Sequence, residues 1–310
     1  MDIPKIGFGT HQLNSVTCRE YLSHAFKCGY QHLDCAHRYM NESVIGENLE
    51  SILLDSNESV KREDIFITGK LPINGLAEDK VSYFFDKSSS ALRTKYLDLY
   101  LIHGPFSAKY LSDDEYYAVD KQTGLFAADE SVDFRKTWAE MEKLHRRELV
   151  KHIGLSNFNK RQMEEVLEKA EIRPKVLQIE VHGYLQQKEL REFCRDEKII
   201  VEAFAPIGSP VTAAELGKKV LINDPIINEI ATKHKKSASQ VALRWLRQMD
   251  VIPIVSAVTK EQMAENIRID DFKLDEDDLK AIDGLDCGMR VYYLDDVKGV
   301  RDHPQYPFEK

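Results

Sequence analysis

Three side chains suited to proton chemistry fall near the ends of short apolar runs, and a fourth lies just beyond one of them. Lys70 is set into IFITGKL (Ile65–Leu71), Asp34 into QHLDCA (Gln31–Ala36) and His103 into LYLIHG (Leu99–Gly104), with Tyr39 five residues after Asp34. Such runs have the length and composition of buried strands. An ammonium in one of them is costly unless a carboxylate or a chemical task holds it. Asp34 can be that carboxylate. A lysine held as a cation beside Tyr39 favours the phenolate and should lower a phenol pKa that starts at about 10. Tyr39 then becomes a better general acid near neutrality, and His103 can orient a carbonyl oxygen or pass a proton. This set suits protonation of a carbonyl as a hydride arrives. Each residue also has a plain structural role: Lys70 snorkelling to solvent, His103 bonded in a core, Asp34 capping a helix, Tyr39 packing. Those roles explain the residues singly and not their convergence.

Convergence requires a scaffold. Eight runs read as strands: Lys5–Thr10, Gln31–Ala36, Ile65–Leu71, Leu99–Gly104, His152–Asn157, Val176–His182, Ile199–Pro206 and Ile252–Ala257. Helical patterns lie between them. Thr17-x-x-Glu20, Asn159-x-x-Gln162, Ser237-x-x-Gln240 and Thr259-x-x-Gln262 have the capping-box form. Phe134–Leu149 gathers Trp138, Met141 and Leu144-His145 on one face. Strand alternating with helix implies parallel strands and crossover helices. An open doubly wound sheet would call for a G-x-G-x-x-G turn, and Gly7-Phe8-Gly9 lacks the third glycine. The expected fold is therefore α/β, a single-domain (β/α)8 barrel over 1–310 with long loops and a C-terminal tail, from about residue 284, over the active rim. Chemistry in such a barrel sits at the C-terminal strand ends, which here carry Asp34, Lys70, His103, Ser156, Asn157, Gln178 and Phe204.

The chain holds 43 basic and 52 acidic residues, a net charge of −9, which argues against a nucleic-acid or anionic-membrane surface. No apolar run approaches the roughly 20 residues of a membrane helix, and MDIPKIGFGT does not read as a signal peptide. Cysteines 18, 28, 35, 194 and 287 form no C-x-x-C pair, so free thiols in a cytoplasmic setting are expected. His11, His24, His32 and His37 lack the i, i+4 helical pairing of a zinc site, and no metal is expected.

Further motifs group around these residues. Gly29-Tyr30-Gln31-His32-Leu33-Asp34-Cys35-Ala36 with Tyr39-Met40-Asn41-Glu42 resembles the signature of the aldo-keto reductases, most closely their aldose and aldehyde reductase-like members. Gly9-Thr10, Leu101-Ile102-His103-x-Pro105, Gly154–Phe158, Gln178–Gln187, Ala264-Glu265-Asn266 and Pro304–Phe308 resemble other motifs of that family, in order along the chain. The resemblance implies a (β/α)8 barrel reducing a small-molecule carbonyl with NADPH or NADH, acting as a monomer. It implies a catalytic tetrad of Asp34, Tyr39, Lys70 and His103, with Tyr39 the acid. Ser156, Asn157 and Gln178 would hold the nicotinamide carboxamide, and Phe204 would stack on its ring where the family has tyrosine. Gly9 and Thr10 join the cofactor set; Pro206, Ile207 and Ser209 would run beside the pyrophosphate, and Glu265 and Asn266 would meet the adenine.

Two regions depart from the family pattern. Where NADPH-dependent relatives grip the 2′-phosphate with lysine, serine and arginine, this chain has Ser256, Ala257 and Gln262, with Thr259 and Lys260 nearby. Three phosphate contacts are missing, each worth roughly 1.5–3 kcal/mol as a charged hydrogen bond, so relaxed cofactor use is expected. Where relatives carry bulky pocket tryptophans this chain has His11, Pro72 and Gly104, which predicts a wider, more polar pocket unless the 106–133 loop or the tail around Tyr292-Tyr293 refills it. A nucleotide-binding barrel without turnover and a Schiff-base lyase at Lys70 are the competing functions. The complete tetrad opposes the first, and an Asp34-paired, protonated Lys70 opposes the second.

Overall fold

The computed structural model describes residues 2–55 and 60–308. Its centre is a closed parallel barrel of eight strands. These are β1 (Gly7–Gly9), β2 (His32–Asp34), β3 (Phe66–Leu71), β4 (Leu97–Ile102), β5 (Val150–Ser156), β6 (Val176–Glu180), β7 (Ile200–Phe204) and β8 (Val251–Val255). Closure comes from β1, which pairs with β2 on one side and β8 on the other. The register places Gly9 beside Asp34, Asp34 beside Thr68, Lys70 beside Leu101 and Gln178 beside Glu202. All eight expected strands are present, with ends shifted by up to a few residues. The main apolar core fills the space between the barrel wall and its helices.

Local chemistry explains most helix boundaries. Asn159 and Ser237 form the expected reciprocal boxes with Gln162 and Gln240. Thr259 accepts from the Gln262 N–H, while the Gln262 side chain reaches the N–H of Val258 instead. The box expected at Thr17 does not form. Thr17 already has helical backbone angles, and Asn14 Oδ1 takes the N–H groups of Val16 and Thr17 at 2.9 and 3.2 Å. The helix expected over 134–149 runs from Phe134 to Arg146, burying Trp138, Met141 and Leu144. Glu148, at φ 58°, then turns the chain into β5. Gly46 permits the closest helix contact: a Cβ there would lie 2.0 Å from the carbonyl oxygen of Ala91. None of the helices among the described residues is long and apolar enough to cross a membrane.

The end of the barrel opposite the rim is tied by Asp98, buried at the start of β4. Its carboxylate accepts from the Ile67 N–H at 3.0 Å, from Arg62 at 2.9 Å and from Lys151 at 2.8 Å, so one side chain links β3, β4 and β5. Arg62 also donates to the carbonyls of Ile65 and Tyr96. Removing the anion strands its donors away from full hydration. Asp98→Ala should lower the unfolding free energy by about 3 kcal/mol in urea titrations; a loss below about 1 kcal/mol would mean the contacts behave as an exposed ion pair.

Candidate active site

The tetrad expected from sequence assembles at the C-terminal rim. Lys70 is fully buried on β3, and its Nζ donates to Asp34 Oδ2 at 2.6 Å, to the Cys35 carbonyl at 3.3 Å and to Tyr39 Oη at 3.1 Å. Tyr39 Oη lies 3.5 Å from Asp34 Oδ2. Strand pairing sets Asp34 beside Thr68, two residues before Lys70, so the lysine side chain reaches its carboxylate, and the short turn His37–Tyr39 folds the phenol back over them. His103, just past β4, meets the Tyr39 ring edge-on at 6.0 Å, and His11 meets it from the other side at 5.0 Å.

Protonation states follow from burial and charge. Burial works against the Lys70 cation, but Asp34 and Tyr39 outweigh it and Lys70 holds its proton well above the usual lysine range. Tyr39 departs from expectation. Burial pushes its pKa up to about 12, and the opposing pull of Lys70 does not overcome that. The neighbouring cation acts in the expected direction, but desolvation of the phenolate outweighs it. His103 is held well below the usual histidine range, by burial first and then by Lys70, Arg38 and His11. Its imidazole is therefore neutral at neutral pH.

Inside the lumen, Gln178 spans the barrel. Its Nε2 donates to Asp34 Oδ1 at 2.8 Å and to Glu202 Oε2 at 2.9 Å. Glu202 is wholly buried, and burial raises its pKa to about 8 against the opposing hydrogen bond from Gln178. This residue was missed in the sequence reading, although IIVEAFAP carries the same signal as IFITGKL: a charge inside an apolar strand. Ser156 and Asn157 end β5. Asn157, at φ 62°, donates to the His103 carbonyl at 2.9 Å and to Ser156 Oγ at 3.2 Å, while its own Oδ1 is buried without a partner among the described residues.

The remaining expected cofactor residues line the adjacent rim. Thr10 is buried, with its N–H and hydroxyl both on the Asp34 carbonyl, and the Gly9 carbonyl accepts from Ser256 Oγ at 3.3 Å. Phe204 is half-buried and meets the Tyr292 ring at 6.0 Å. Beyond it Ala205, Gly208 and Ser209 all have left-handed φ, curling the segment that holds Pro206 and Ile207. Tyr292 Oη donates to Ser209 Oγ at 3.0 Å, joining the tail to this loop. Glu265 is exposed and accepts from Ser237, whereas Asn266 is buried. Lys260 is paired with Glu20.

Residues of the long loop and the tail pack beside the rim. Pro72 starts a short turn, and a Cβ on Gly104 would meet Ile73 at 3.4 Å and Phe106 at 3.8 Å, so those side chains occupy part of the space a larger residue would take. Tyr116 from the long loop packs 5.8 Å from His103. Arg38 lies over the rings of Tyr116 and Tyr117 at 4.7 and 4.9 Å and pairs with Asp296 of the tail. Residues of the loop and tail that are polar or cationic as well as aromatic thus pack beside His103 and Arg38. The tail itself is anchored by Glu180, fully buried on β6, whose carboxylate accepts from the backbone N–H groups of Val291 at 2.6 Å and Tyr292 at 3.0 Å. Arg290, 3.7 Å from Glu180, lies 3.7 Å from the centre of the Phe308 ring.

A closed parallel barrel with acid–base groups gathered at the C-terminal rim defines a barrel enzyme. The chain belongs to the Aldo/keto reductase family, whose model matches residues 5–286, and it is an NAD(P)H-dependent oxidoreductase. It is 38% identical over 315 residues to prostaglandin F synthase 1 of Bos taurus, covering 99% of this chain and 95% of that one. It is 36% identical over 320 residues to aldo-keto reductase family 1 member A1 of Gallus gallus, covering 99% and 94%. Among solved structures it resembles the aldose reductase from Schistosoma japonicum, with TM-score 0.89 and 37% identity over 100% of this chain and 96% of that one. Carbonyl reduction is supported at the level of the family.

The buried carboxyls give a signed pH prediction. The folded-state pKa of Glu202 lies above its ordinary value of about 4.3, at about 8. Its contribution to stability is therefore whole below pH ~4 and is lost as pH rises towards 8. Melting curves of Glu202→Gln and the unaltered chain should diverge with rising pH, the variant gaining up to about pH 8 and the difference then staying level. A constant difference from pH 5 to 9 would show that the carboxyl is already ionised in the folded state at pH 5.

Proposed function

We propose that the chain reduces an aldehyde or ketone to the alcohol with NADPH, accepting NADH as well, and that Tyr39 is the general acid. The observation that carries this reading is the contact of Tyr39 Oη with Lys70 Nζ at 3.1 Å, on a lysine held by Asp34 at 2.6 Å. Tyr39 protonated at neutral pH has a proton to give, and Lys70 stabilises the phenolate as it forms. His103, neutral and without a partner at Nδ1 among the described residues, is suited to donate a hydrogen bond from the other ring nitrogen, orienting the carbonyl without competing as a strong acid. With proton donation assigned to Tyr39, the hydride would come from a reduced nicotinamide held in the cleft.

The cleft fits that cofactor on its own chemistry. Asn157 Oδ1 is a buried acceptor lacking a donor, which suits a carboxamide N–H. The half-buried ring of Phe204 offers a stacking face, and Ser156 and Gln178 complete the expected carboxamide set. Pro206, Ile207 and Ser209 would flank the pyrophosphate, and Glu265 and Asn266 the adenine. At the adenosine 2′-position Ser256, Thr259 and Gln262 offer hydrogen bonds without charge, and Lys260 is already paired with Glu20. His11, Arg38 and Tyr116 favour a polar carbonyl substrate. We place the protein in the cytosol as a monomer.

Tyr39→Phe should lower kcat/KM for a small aldehyde and ketone panel by about 10²–10⁴-fold, read as loss of NADPH absorbance; unchanged turnover would sink the assignment of the acid. Dissociation constants for NADPH and NADH should agree within about tenfold, because the contacts that separate them, each worth roughly 1.5–3 kcal/mol, are absent. A NADPH preference of about a thousandfold, equal to about 4 kcal/mol, would mean another group grips the 2′-phosphate.

A further inference from the structure

Glu202 stands in the barrel lumen beside the catalytic groups and takes no part in the proton transfer proposed above. Register sets it next to Gln178, and the Gln178 Nε2 reaches Glu202 Oε2 at 2.9 Å and Asp34 Oδ1 at 2.8 Å. A primary amide has two N–H donors and one acceptor oxygen. Two carboxyl oxygens at these distances take both N–H bonds, and a flipped amide would press its oxygen against the Asp34 carboxylate. The Gln178 carbonyl is therefore turned away from both carboxyls.

We propose that Glu202 is a positioning residue: with Asp34 it fixes Gln178 so that its carbonyl oxygen is presented to the N–H group of a nicotinamide carboxamide, and its own proton decides whether one or two negative charges lie near Lys70. This role rests on the cofactor reading given under the proposed function. The free Oε1 of Glu202 is buried with no partner among the described residues, an arrangement that costs least when the carboxyl is neutral. Burial is the main cause of its raised pKa, followed by the lowering bond from Gln178, the raising charge of Asp34 and the lowering charge of Lys70.

The charged groups facing Glu202 are thus Asp34 on β2 and Lys70 on β3. Its other strand neighbours, Gln178 on β6 and Ile252 on β8, carry no charge. Ionisation of Glu202 sets two anions on the same Nε2, and their repulsion spreads the two oxygens that Gln178 bridges. The additional anion also offsets the field of Lys70 at Tyr39, making the phenol a weaker acid. Carboxamide binding and proton donation should then both weaken as pH passes about 8, the folded-state pKa of Glu202.

The test uses the full chain with Glu202→Gln, which keeps an acceptor and cannot ionise, and Glu202→Leu, which removes the acceptor. NADPH dissociation constants are measured by protein fluorescence quenching from pH 6.5 to 9.5, beside those of 2′-phospho-ADP-ribose, which lacks the nicotinamide. For the unaltered chain the NADPH constant should rise several-fold between pH 7 and 9.5, with 2′-phospho-ADP-ribose unaffected. Glu202→Gln should abolish that rise, and Glu202→Leu should weaken NADPH about tenfold at pH 7, a loss that Glu202→Gln largely restores. The same alkaline weakening in Glu202→Gln, or an equal loss for the nicotinamide-free nucleotide, would overturn the role. Failure of the unaltered chain to bind NADPH at any pH would overturn the cofactor reading, and this role with it.

Discussion

A lysine ammonium with no exposed surface must be neutralised where it stands, and that requirement organises the rim of this barrel. Desolvating one charge costs several kcal/mol, and Lys70 recovers it from Asp34, from a backbone carbonyl and from a phenol oxygen. Each partner comes from a different point of the β2 strand and the turn after it. The cation therefore fixes the β2–β3 register, the path of the chain after Asp34 and the position of the Tyr39 ring together. Gln178 carries the constraint to the far wall, since its bond to Asp34 links β6 to β2 across the lumen. The chemistry is held by groups whose separation would leave charges stranded.

Much of this was legible in the sequence because barrels convert strand order into position. Eight short apolar runs, spaced by helical patterns, imply a rim, and reading the run ends found Asp34, Lys70, His103, Ser156 and Gln178. Capping signals were legible where the cap residue lacked a competitor, as at Asn159 and Ser237. At Thr17 an upstream asparagine took the Thr17 N–H that Glu20 would have capped, a competition that the four-residue pattern does not contain.

What was not legible depends on three-dimensional crowding. The raised pKa of Tyr39 reflects the protein packed around the phenol, which no spacing rule reports. Arg38 reads as an ordinary surface residue beside Tyr39 until the long loop brings Tyr116 and Tyr117 beneath its guanidinium. The contacts of Tyr116 with His103 and of Arg38 with Asp296 depend likewise on residues far apart in sequence. The Lys260–Glu20 pair involves two residues that are distant in the chain and adjacent at the rim. Glu202 is the instructive omission, because its signal was present and only its partner across the strand made it interpretable.

The attachment of the tail has a consequence for how such a site can change over generations. Glu180 grips Val291 and Tyr292 through their backbone N–H groups. Any residue except proline presents those donors. The Glu180 fastening is therefore indifferent to the side chains it carries, and substitutions at 293 and 294 leave it in place, whereas Tyr292 adds a bond of its own to Ser209. Attachment through Glu180 is written in backbone atoms, which leaves the side chains that follow free to drift while the hold stays fixed.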